Sequence, residues 1–413
     1  MKKNLIKVIL EIGLFIIFLI SIESIYCVSA ETINFDFNFS EPEINQVNIS
    51  SNISDYVTIE GLYTTGFPSL PLLPIKSYKV LLPQKGIIDL INVTYSGNIS
   101  LGNGYNITIG GYVINNYTSI EYYNFSSYYY NSSIPYPTNL SFITGIYNFR
   151  GYSILEFNLY PVHYIKETGE IYYYENMTVT INTNESGSVS SLFRGLLADK
   201  MAMHQIADNF SMENTYVTYP PTPAHSSIVD PSESYNYIII TKNFLINANP
   251  FPSSARDWYT FQDLADYKND TGISTNIVTI DEIKNDPYYW NTSSSSLDNC
   301  NDTASQVRNF IYDAYNNWEI EYVLLGGDEW VVPIRVLYYN DCITGSTITS
   351  CPSDLYYSCL NGPFNVNNDG IWGKPCDGID NGDVDLEAEV YVGRACVASP
   401  KEVSNFVYKT LIR

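Results

Sequence analysis

The amino-acid sequence predicts an all-β domain followed by an α/β domain that is built on a parallel sheet. From Glu31 to Ser186, short alternating apolar runs are broken by Gly, Pro and Asn, and no stretch keeps the period of an amphipathic helix. From Tyr237 onwards, short apolar runs alternate with helical patterns, which is the order of a parallel sheet covered by helices. A Pro- and Ser-rich segment separates the two patterns, so we expect two domains joined by a linker.

Residues 1–30 have the composition of a secretory signal. Three lysines precede an apolar stretch from Ile12 to Ile22, and Val28-Ser29-Ala30 provides the small residues that a signal peptidase reads. The apolar stretch is shorter than the roughly 20 residues that a membrane-spanning helix needs, and no later segment is long and apolar enough. We therefore expect a secreted or cell-surface protein that has no transmembrane segment apart from the signal.

The cysteine pattern is typical of an exported protein. Cys27 lies in the signal, and the six that remain lie in one segment: Cys300, Cys342, Cys351, Cys359, Cys376 and Cys396. We expect up to three disulfides among these six cysteines. Their pairing stays open, although Cys342 and Cys351 would close a short loop. A metal site is the alternative, but no Cys-x-x-Cys pair and no nearby histidine supports it.

The chain is strongly acidic, with 44 acidic residues, 21 basic residues and a net charge of −23. Such a surface repels a phosphate backbone, so we expect no nucleic acid partner. The negative charge favours solubility and cation binding.

Asn-x-Ser/Thr triplets recur from Asn38 to Asn301. In an exported protein they are candidate glycosylation sites, and the alternative is that a sequence rich in Asn, Ser and Thr contains them by chance.

The β-rich domain, residues 31–186, contains one recognisable hairpin. A strand ends at Pro161, a turn covers residues 167–169, and the alternating strand Ile171–Asn182 returns antiparallel.

Residues 187–234 combine a helix with the linker between the two domains. Apolar residues at helical spacing predict one amphipathic helix between Leu192 and Phe210. The stretch from Thr218 to Ser234 is rich in Pro and Ser, so we interpret it as a linker and a candidate processing region.

Residues 235–413 have the strand and helix order of a βαβαβ unit, which closes right-handed into a parallel sheet. The predicted strands are Tyr237–Thr241, Thr275–Ile280 and Tyr322–Leu325. The predicted helices are Ala255–Asp270 and Thr303–Trp318, and Asp302 is the predicted N-cap of the second helix.

Ligands of such sheets bind beyond the carboxyl ends of the strands. Asp328 follows the third strand, where it either serves a binding site or caps the next turn. Asp354, in the segment SDLYY, is interpreted as a structural loop carboxylate.

The acidic stretch from Asn365 to Glu389 is a candidate calcium site. Oxygen-bearing side chains at alternate positions precede a glycine, as at the start of a calcium loop, and further acids follow. The candidate ligands are Asn365, Asn367, Asp369, Asp377, Asp380, Asp383 and Asp385. Cys376 stands where the bidentate acid of such a loop is expected, so the later acids would have to complete the oxygen cage. A solvated acidic loop is the alternative.

The α/β domain offers no pair of residues for nucleophilic catalysis. The three histidines, His163, His204 and His225, all precede this domain, whereas the cysteines after the signal lie at or beyond Cys300. A cysteine nucleophile requires a neighbouring imidazole, and a serine triad requires one as well. We therefore assign no catalytic residue.

Three segments of the α/β domain resemble gingipain-like cysteine peptidases, peptidase family C25. They are EYVLLGGDEWVVP at 321–333, SDLYY at 353–357 and EVYVGR at 389–394. In the β-rich domain, Gly66–Pro71 with Lys79–Pro83, and Arg150–Tyr152 with the segments at 160–173, resemble the propeptide of the same family. The resemblance covers residues 58–185 and 235–413. It implies an all-β propeptide domain and the first subdomain of a caspase-like or flavodoxin-like parallel α/β fold.

The resemblance also implies a function. The catalytic histidine and cysteine of the family belong to its second subdomain, which we expect after Arg413, so we expect the chain alone to be inactive. We expect a secreted precursor of a cysteine endopeptidase that acts on protein or peptide substrates, with an intramolecular contact between the propeptide and the α/β domain. The alternative is a non-enzymatic, calcium-binding cell-surface glycoprotein that uses a peptidase-like domain.

Overall fold

The computed structural model describes residues 31–49, 52–65, 70–110, 112–113, 120–121, 133–218, 226–250, 258–290, 300–339, 349–374 and 386–412. The predicted signal, residues 1–30, lies outside this set. The chain divides into two compact units. The first comprises residues 1–78, 83–143 and 157–189, and the second comprises residues 79–82, 144–156 and 190–413. The second unit therefore includes two short segments of the β-rich sequence besides the α/β sequence.

The described part of the chain up to Asn184 is built from strands. They are β1 (Glu31–Asn38), β2 (Glu43–Ile49), β3 (Asn52–Thr58), β4 (Tyr63–Thr64), β5 (Pro74–Leu81), β6 (Ile87–Gly102), β7 (Tyr112–Val113), β8 (Ile120–Glu121), β9 (Ser141–Phe149), β10 (Tyr152–Leu159), β11 (Val162–Ile165) and β12 (Glu170–Asn184). One sheet has the order β1-β12-β11 with β6 also paired to β12, and another has the order β4-β5-β10-β9. β2 with β3 and β7 with β8 form two-stranded sheets.

β12 organises the first of these sheets. It pairs antiparallel with β1, from Glu31 opposite Thr183 to Asn38 opposite Asn176, and with β6 on its other edge. Its side chains alternate between buried and partly exposed positions, which is the period of a strand with one face in a core. The returning strand of the predicted hairpin is present, and its partner across the short turn is β11, Val162–Ile165, rather than a strand that ends at Pro161.

Beyond residue 190 the chain alternates helices and strands. The helices are α1 (Leu197–Ile206), α2 (Asn243–Ile246), α3 (Phe261–Asp270), α4 (Ile280–Asn285), α5 (Thr303–Asn317), α6 (Leu355–Ser358) and α7 (Pro400–Ile412). The strands are β13 (Tyr237–Thr241), β14 (Thr275–Thr279), β15 (Tyr322–Gly326), β16 (Arg335–Tyr339), β17 (Thr349–Ser353) and β18 (Tyr391–Ala395). β14, β13, β15 and β18 form a parallel sheet in that order, so β15 is an inner strand, and β16 pairs antiparallel with β17.

Capping side chains decide where the helices of this region begin. Thr260 and Asp263 form a reciprocal capping box, which starts α3 at Phe261, later than the predicted start at Ala255. Asp302 caps α5 as predicted, and its Oδ1 accepts from the Ser305 amide at 2.9 Å. The sequence analysis missed α4, because six residues are too few to show a helical period.

Three tyrosines at the amino ends of neighbouring parallel strands stack on one another. Tyr237 is in register with Tyr322, and Tyr322 is in register with Tyr391. Their ring centroids are 6.3 Å and 5.3 Å apart, with near-parallel planes. Lys268 Nζ lies 4.0 Å from the centroid of the Tyr237 ring, at the favourable distance for a cation above an aromatic face. This stack marks the amino edge of the parallel sheet.

The helices cover a continuous apolar core around the parallel sheet. The three isoleucines of β13 are fully buried, as expected for a parallel strand that is covered on both faces. None of the helices in the described ranges is long and apolar enough to cross a membrane.

Phe310 tests how much this core contributes to stability. It is fully buried in α5, and its ring centroid lies 5.7 Å from that of Tyr289 and 6.0 Å from that of Trp318, both edge-on. We expect Phe310→Ala to lower the free energy of unfolding by about 3–5 kcal/mol, because it leaves a cavity between these rings. Denaturant titration measures the loss. The control Phe244→Ala, at a site that is 52% exposed, should change stability by less than about 0.5 kcal/mol. Equal losses in both variants would contradict the prediction.

Candidate functional site

Arg394, in the segment 389–394, is hydrogen-bonded to the segments 321–333 and 353–357. Its Nε and Nη2 donate to the two carboxylate oxygens of Asp354 at 2.8 Å and 2.7 Å. Its Nη1 donates to the carbonyl oxygens of Gly327 and Val332 at 2.9 Å and 2.7 Å. A bidentate pair with a carboxylate fixes the guanidinium plane, so Arg394 holds the loop after β15 against the end of β18.

Asp328 has a structural role at this carboxyl edge. Its Oδ1 accepts from the amides of Trp330 and Val331 at 3.0 Å and 3.2 Å, so the carboxylate caps the turn that follows β15. The preceding glycine is required for close approach, because a Cβ on Gly327 would lie 2.2 Å from Val331 Cγ1. Both carboxylate oxygens of Asp354 accept hydrogen bonds from Arg394, so Asp354 is structural as well. The structure therefore brings Asp328, Asp354 and Arg394 to one edge, where their polar groups stabilise the loops.

The loop from Pro363 to Lys374 contains the first three predicted calcium ligands. Asn367 Oδ1 accepts from the Asp369 amide at 3.1 Å, and Asp369 Oδ1 accepts from the Ile371 amide at 2.7 Å. Asn365 is 6% exposed, and its Oδ1 has no hydrogen-bond partner among the described residues. The other four predicted ligands, Asp377, Asp380, Asp383 and Asp385, lie outside the described residues.

A buried amide oxygen without a partner is costly, and a hard cation is one group that would satisfy it. The oxygen donors of Asn365, Asn367 and Asp369 are of the chemical type that Ca²⁺ prefers, and they lie in one loop. Lys374 Nζ, 4.0 Å from Asp369 Oδ2, provides part of the positive charge that this carboxylate requires. Within the described ranges, no group of three or more His, Cys, Asp and Glu side chains is arranged to hold a metal ion.

Of the up to three disulfides that the sequence predicts, none joins two of the four cysteines in the described ranges. Cys300, Cys351, Cys359 and Cys396 carry thiols. Cys342 and Cys376 lie outside the described residues. The four thiols occupy different environments: Cys359 is buried, Cys300 is half-buried, and Cys351 and Cys396 are exposed. An even count of cysteines does not bring their sulfur atoms within bonding distance, and the sequence prediction had only the count.

The two described histidines are engaged outside the α/β sheet. His163 is 2% exposed, and its ring nitrogens contact the carbonyl oxygens of Pro137 and Tyr160 at 2.7 Å and 3.1 Å. Burial lowers the pKa of His163, although both backbone contacts oppose the shift. His204 bonds Glu213 and stacks on Phe210, with ring centroids 4.1 Å apart. His225 lies outside the described residues.

A buried carboxylate links the segment around α1 to the α/β sheet. Asp199 is fully buried, and it accepts from Arg150 Nη1 at 2.9 Å, from Arg194 Nη2 at 2.6 Å and from Arg194 Nε at 2.9 Å. Arg194 Nη1 then donates to the carbonyl oxygens of Tyr315 and Ile320 at 3.1 Å and 3.0 Å. We call Arg150, Arg194 and Asp199 the amino-edge anchor.

The anchor lies at the amino edge of the parallel sheet. The Arg194 guanidinium lies 3.6 Å from the centroid of the Tyr315 ring, near the end of α5, and Ile320 leads into β15. The Arg150 guanidinium lies 5.2 Å from the centroid of Tyr391, the first residue of β18. The anchor therefore contacts the amino edge of the sheet. The Arg394 loops lie at the opposite, carboxyl edge, and ligands of parallel sheets bind at that carboxyl edge.

Three further contacts in the second compact unit join residues of the α/β sequence to residues that precede it in the chain. Tyr312 Oη donates to Ser191 Oγ at 2.7 Å, and Asn361 Nδ2 donates to the Asn148 carbonyl oxygen at 3.2 Å. Lys79 Nζ lies 3.2 Å from Glu387 Oε1. The sequence analysis did not predict the anchor, because Arg150 lies 49 residues before Asp199 and none of the three residues belongs to a local motif. In the structure, Arg150 adopts a positive φ of 50° just before Gly151.

Two family models match this chain, one in its β-rich part and one in its α/β part. The model of peptidase family C25 matches residues 230–412, and the model Propeptide_C25 matches residues 24–216. No curated protein matches the chain.

Two solved structures are similar to parts of the chain. One is the complex of Porphyromonas gingivalis RgpB pro- and mature domains, with 15% identity, a TM-score of 0.35 and coverage of 43% of this chain and 91% of that one. The other is gingipain K from Porphyromonas gingivalis, described for its zymogenic latency, with 15% identity, a TM-score of 0.32 and coverage of 39% and 94%. The assignment rests on the two family models, which together match most of the sequence. The chain belongs to peptidase family C25, with a propeptide region at 24–216 followed by a peptidase region at 230–412.

Proposed function

We propose that this protein is the secreted precursor of a family C25 cysteine endopeptidase, and that the amino-edge anchor holds its propeptide region on its peptidase region. The observation that carries the proposal is the position of the three anchor residues. Arg150, Arg194 and Asp199 belong to the propeptide match, whereas Tyr315, Ile320 and Tyr391 belong to the peptidase match. The substrates would be proteins or peptides. An N-terminal signal at residues 1–30 would direct the precursor out of the cell.

The buried ion pairs of the anchor would keep the propeptide region bound to the peptidase region after the linker is cleaved. Asp199 has no exposure to solvent, and the side chains of Arg150 and Arg194 are 2% and 5% exposed. Removing one partner of such a buried ion pair costs about 3–5 kcal/mol, because it leaves a charge unpaired in a medium of low dielectric constant. The anchor also lies away from the carboxyl edge, where a substrate would bind. The residues that hold the propeptide would therefore differ from those that contact the substrate.

We expect Asp199→Asn to weaken the retention of the propeptide region after the linker is cut. A site-specific protease sequence inserted between residues 218 and 226 would produce two chains, whose dissociation constant is measured by surface plasmon resonance. The neutral amide cannot pair with both guanidinium groups, so the dissociation constant should rise by roughly 100-fold or more. Arg194→Lys should show a smaller rise, because lysine keeps the charge and loses the bidentate geometry. The control Glu185→Gln, at an exposed acid of the propeptide region, should match the parent. An unchanged constant for Asp199→Asn would refute the role of the anchor.

We further propose that the cysteine and histidine of catalysis are not among these 413 residues. The supporting observation is that the peptidase match, residues 230–412, contains no histidine. Purified residues 31–413 should therefore leave fluorogenic peptides intact, whereas the complete natural precursor, after activation, should cleave them and lose activity to a thiol alkylator. Alkylator-sensitive cleavage by residues 31–413 alone would show that the proposal is wrong.

We also propose that the loop starting at Asn365 binds Ca²⁺, with Asn365, Asn367 and Asp369 as first ligands and Asp377, Asp380, Asp383 and Asp385 as the acids that complete the site. The supporting observation is the buried Oδ1 of Asn365, which has no hydrogen-bond partner in the part of the chain that the structure describes. Calcium would neutralise the negative charge of this acidic stretch and fix the loop.

Calorimetric titration with Ca²⁺ tests the site. We expect heat of binding in the parent and a reduction of the affinity by roughly tenfold or more in Asn365→Leu and in Asp383→Asn, because each loses an oxygen ligand. The control Asn103→Ala, at an exposed asparagine of the β-rich region, should bind as the parent does. Absence of heat in the parent, or equal affinity in all variants, would rule out calcium.

A further inference from the structure

Two buried side chains at the amino-edge anchor carry polar atoms that make no hydrogen bond to the described residues. Arg150 is 1% exposed, and its Nη1 donates to Asp199, whereas its Nε and Nη2 are buried and donate to no acceptor in the described ranges. Tyr315 is fully buried, and its Oη has no hydrogen-bond partner in the same ranges. Buried polar atoms are costly without a partner, so a further polar group is required at this point.

The anchor also carries a surplus of positive charge. Asp199 Oδ1 accepts from Arg150 Nη1 at 2.9 Å and from Arg194 Nη2 at 2.6 Å, so one carboxylate serves two guanidinium groups. The three side chains are at most 5% exposed, so solvent screens their charges poorly. Glu321 acts on Arg194 from a half-buried position, where solvent weakens its charge. A buried surplus charge requires a buried acid nearby.

Glu389 is a buried acid beside this edge of the sheet. It has no exposure to solvent, and it precedes by two residues Tyr391, whose ring centroid lies 5.2 Å from the Arg150 guanidinium. Glu389 Oε2 accepts from the Leu360 amide at 2.7 Å, which fixes the direction of the carboxylate. With Glu389 counted, the buried arginines and acids of this edge have no net charge.

The electrostatics of Tyr315 agree with this grouping. Burial raises the pKa of Tyr315. The charges of Asp199 and Glu389 add to the rise in its pKa, while those of Arg194 and Arg150 oppose it. Charges shift a pKa in this way when they lie near the titrating group, so the Tyr315 hydroxyl has all four charges in its neighbourhood.

We propose that an internal water molecule bridges Arg150, Tyr315 and Glu389, and that Glu389 thereby balances the charge of Arg150. Nε and Nη2 form one edge of the planar guanidinium group, which fits a single oxygen acceptor. The water oxygen would accept from this edge and from Tyr315 Oη, and one of its hydrogens would go to Glu389 Oε1. A buried water typically makes about three such bonds.

The bridge would add a link between the two regions of the chain. Arg150 belongs to the propeptide match, whereas Tyr315 and Glu389 belong to the peptidase match. The inference therefore rests on the proposed function, and it gives the anchor a partner acid in the peptidase region. Separating the regions would leave Glu389 without the cation that it faces, so the bridge would oppose release of the propeptide region.

A high-resolution crystal structure of the parent tests the water directly. Density for an ordered water should lie within about 3.2 Å of Arg150 Nη2, Tyr315 Oη and Glu389 Oε1. A map in which these three side chains are ordered and no water lies between them would overturn the bridge.

The charge balance is tested by a double-mutant cycle on the two-chain form that is cut between residues 218 and 226. Glu389→Gln should raise the dissociation constant by roughly tenfold in the parent, but by less than about threefold when Arg150→Met is also present, because the acid acts through Arg150. The control Glu319→Gln, at an exposed acid of the peptidase region, should leave the constant unchanged. Equal effects of Glu389→Gln in both backgrounds would assign Glu389 only to the support of Leu360 and would overturn the pairing.

A second variant keeps the test decisive if Glu389→Gln does not fold. Tyr315→Phe removes one bond to the water and retains the ring that faces Arg194, so it should raise the dissociation constant by about threefold in the parent and leave it unchanged with Arg150→Met. Equal rises in both backgrounds would contradict the bridge.

Failure of the proposed function would give a different result from failure of the bridge. An unchanged dissociation constant for Asp199→Asn would show that the anchor does not hold the propeptide region. The crystal structure of the parent would then still decide whether the water joins Arg150 to Glu389.

Discussion

The buried charge of Asp199 is the constraint on which the attachment of α1 to the α/β sheet depends. A carboxylate without solvent is tolerated only when its charge and its lone pairs are matched, and two arginines from different parts of the sequence provide this match. One of them, Arg194, extends the network to backbone carbonyls at the end of α5. The chain cannot bury Asp199 without also bringing together a turn between two β-strands, the segment before α1 and the amino edge of the sheet.

Guanidinium groups serve as cross-links at both ends of the parallel sheet. Arg394 joins Asp354 to the carbonyl groups of the loop after β15. Arg335 pairs with both oxygens of Asp302 at 2.8 Å and 2.9 Å, so that one carboxylate caps α5 and ties it to β16. Each bond combines charge with a fixed plane, which lysine could not reproduce. The polar residues that first suggested a binding edge are thereby used to hold loops in place.

The sequence was sufficient for the elements whose signals are local. The apolar run of β13, the Asp302 cap of α5 and the long returning strand β12 each depend on neighbouring residues, and each was predicted. The fourth parallel strand, β18, was recognised only as a family motif, because its pairing partner β15 lies far away in the chain. The anchor was missed for the same reason, since Asp199 and Arg150 are 49 residues apart. The role of Asp328 was left between binding and capping, and two amide contacts decided it. The number of cysteines suggested disulfides, but a count does not give the distances between sulfur atoms that a disulfide requires.

The tyrosine stack at the amino edge has a consequence for strand alignment. Because successive side chains of a strand point to opposite faces, sliding one strand by a single residue would carry its ring to the other face and break the stack. Tyr237, Tyr322 and Tyr391 thus select one alignment of three strands that are joined only by long crossovers. The Arg150 guanidinium lies near the ring of Tyr391, so the residue that helps to fix the strand alignment also contacts the turn between β9 and β10.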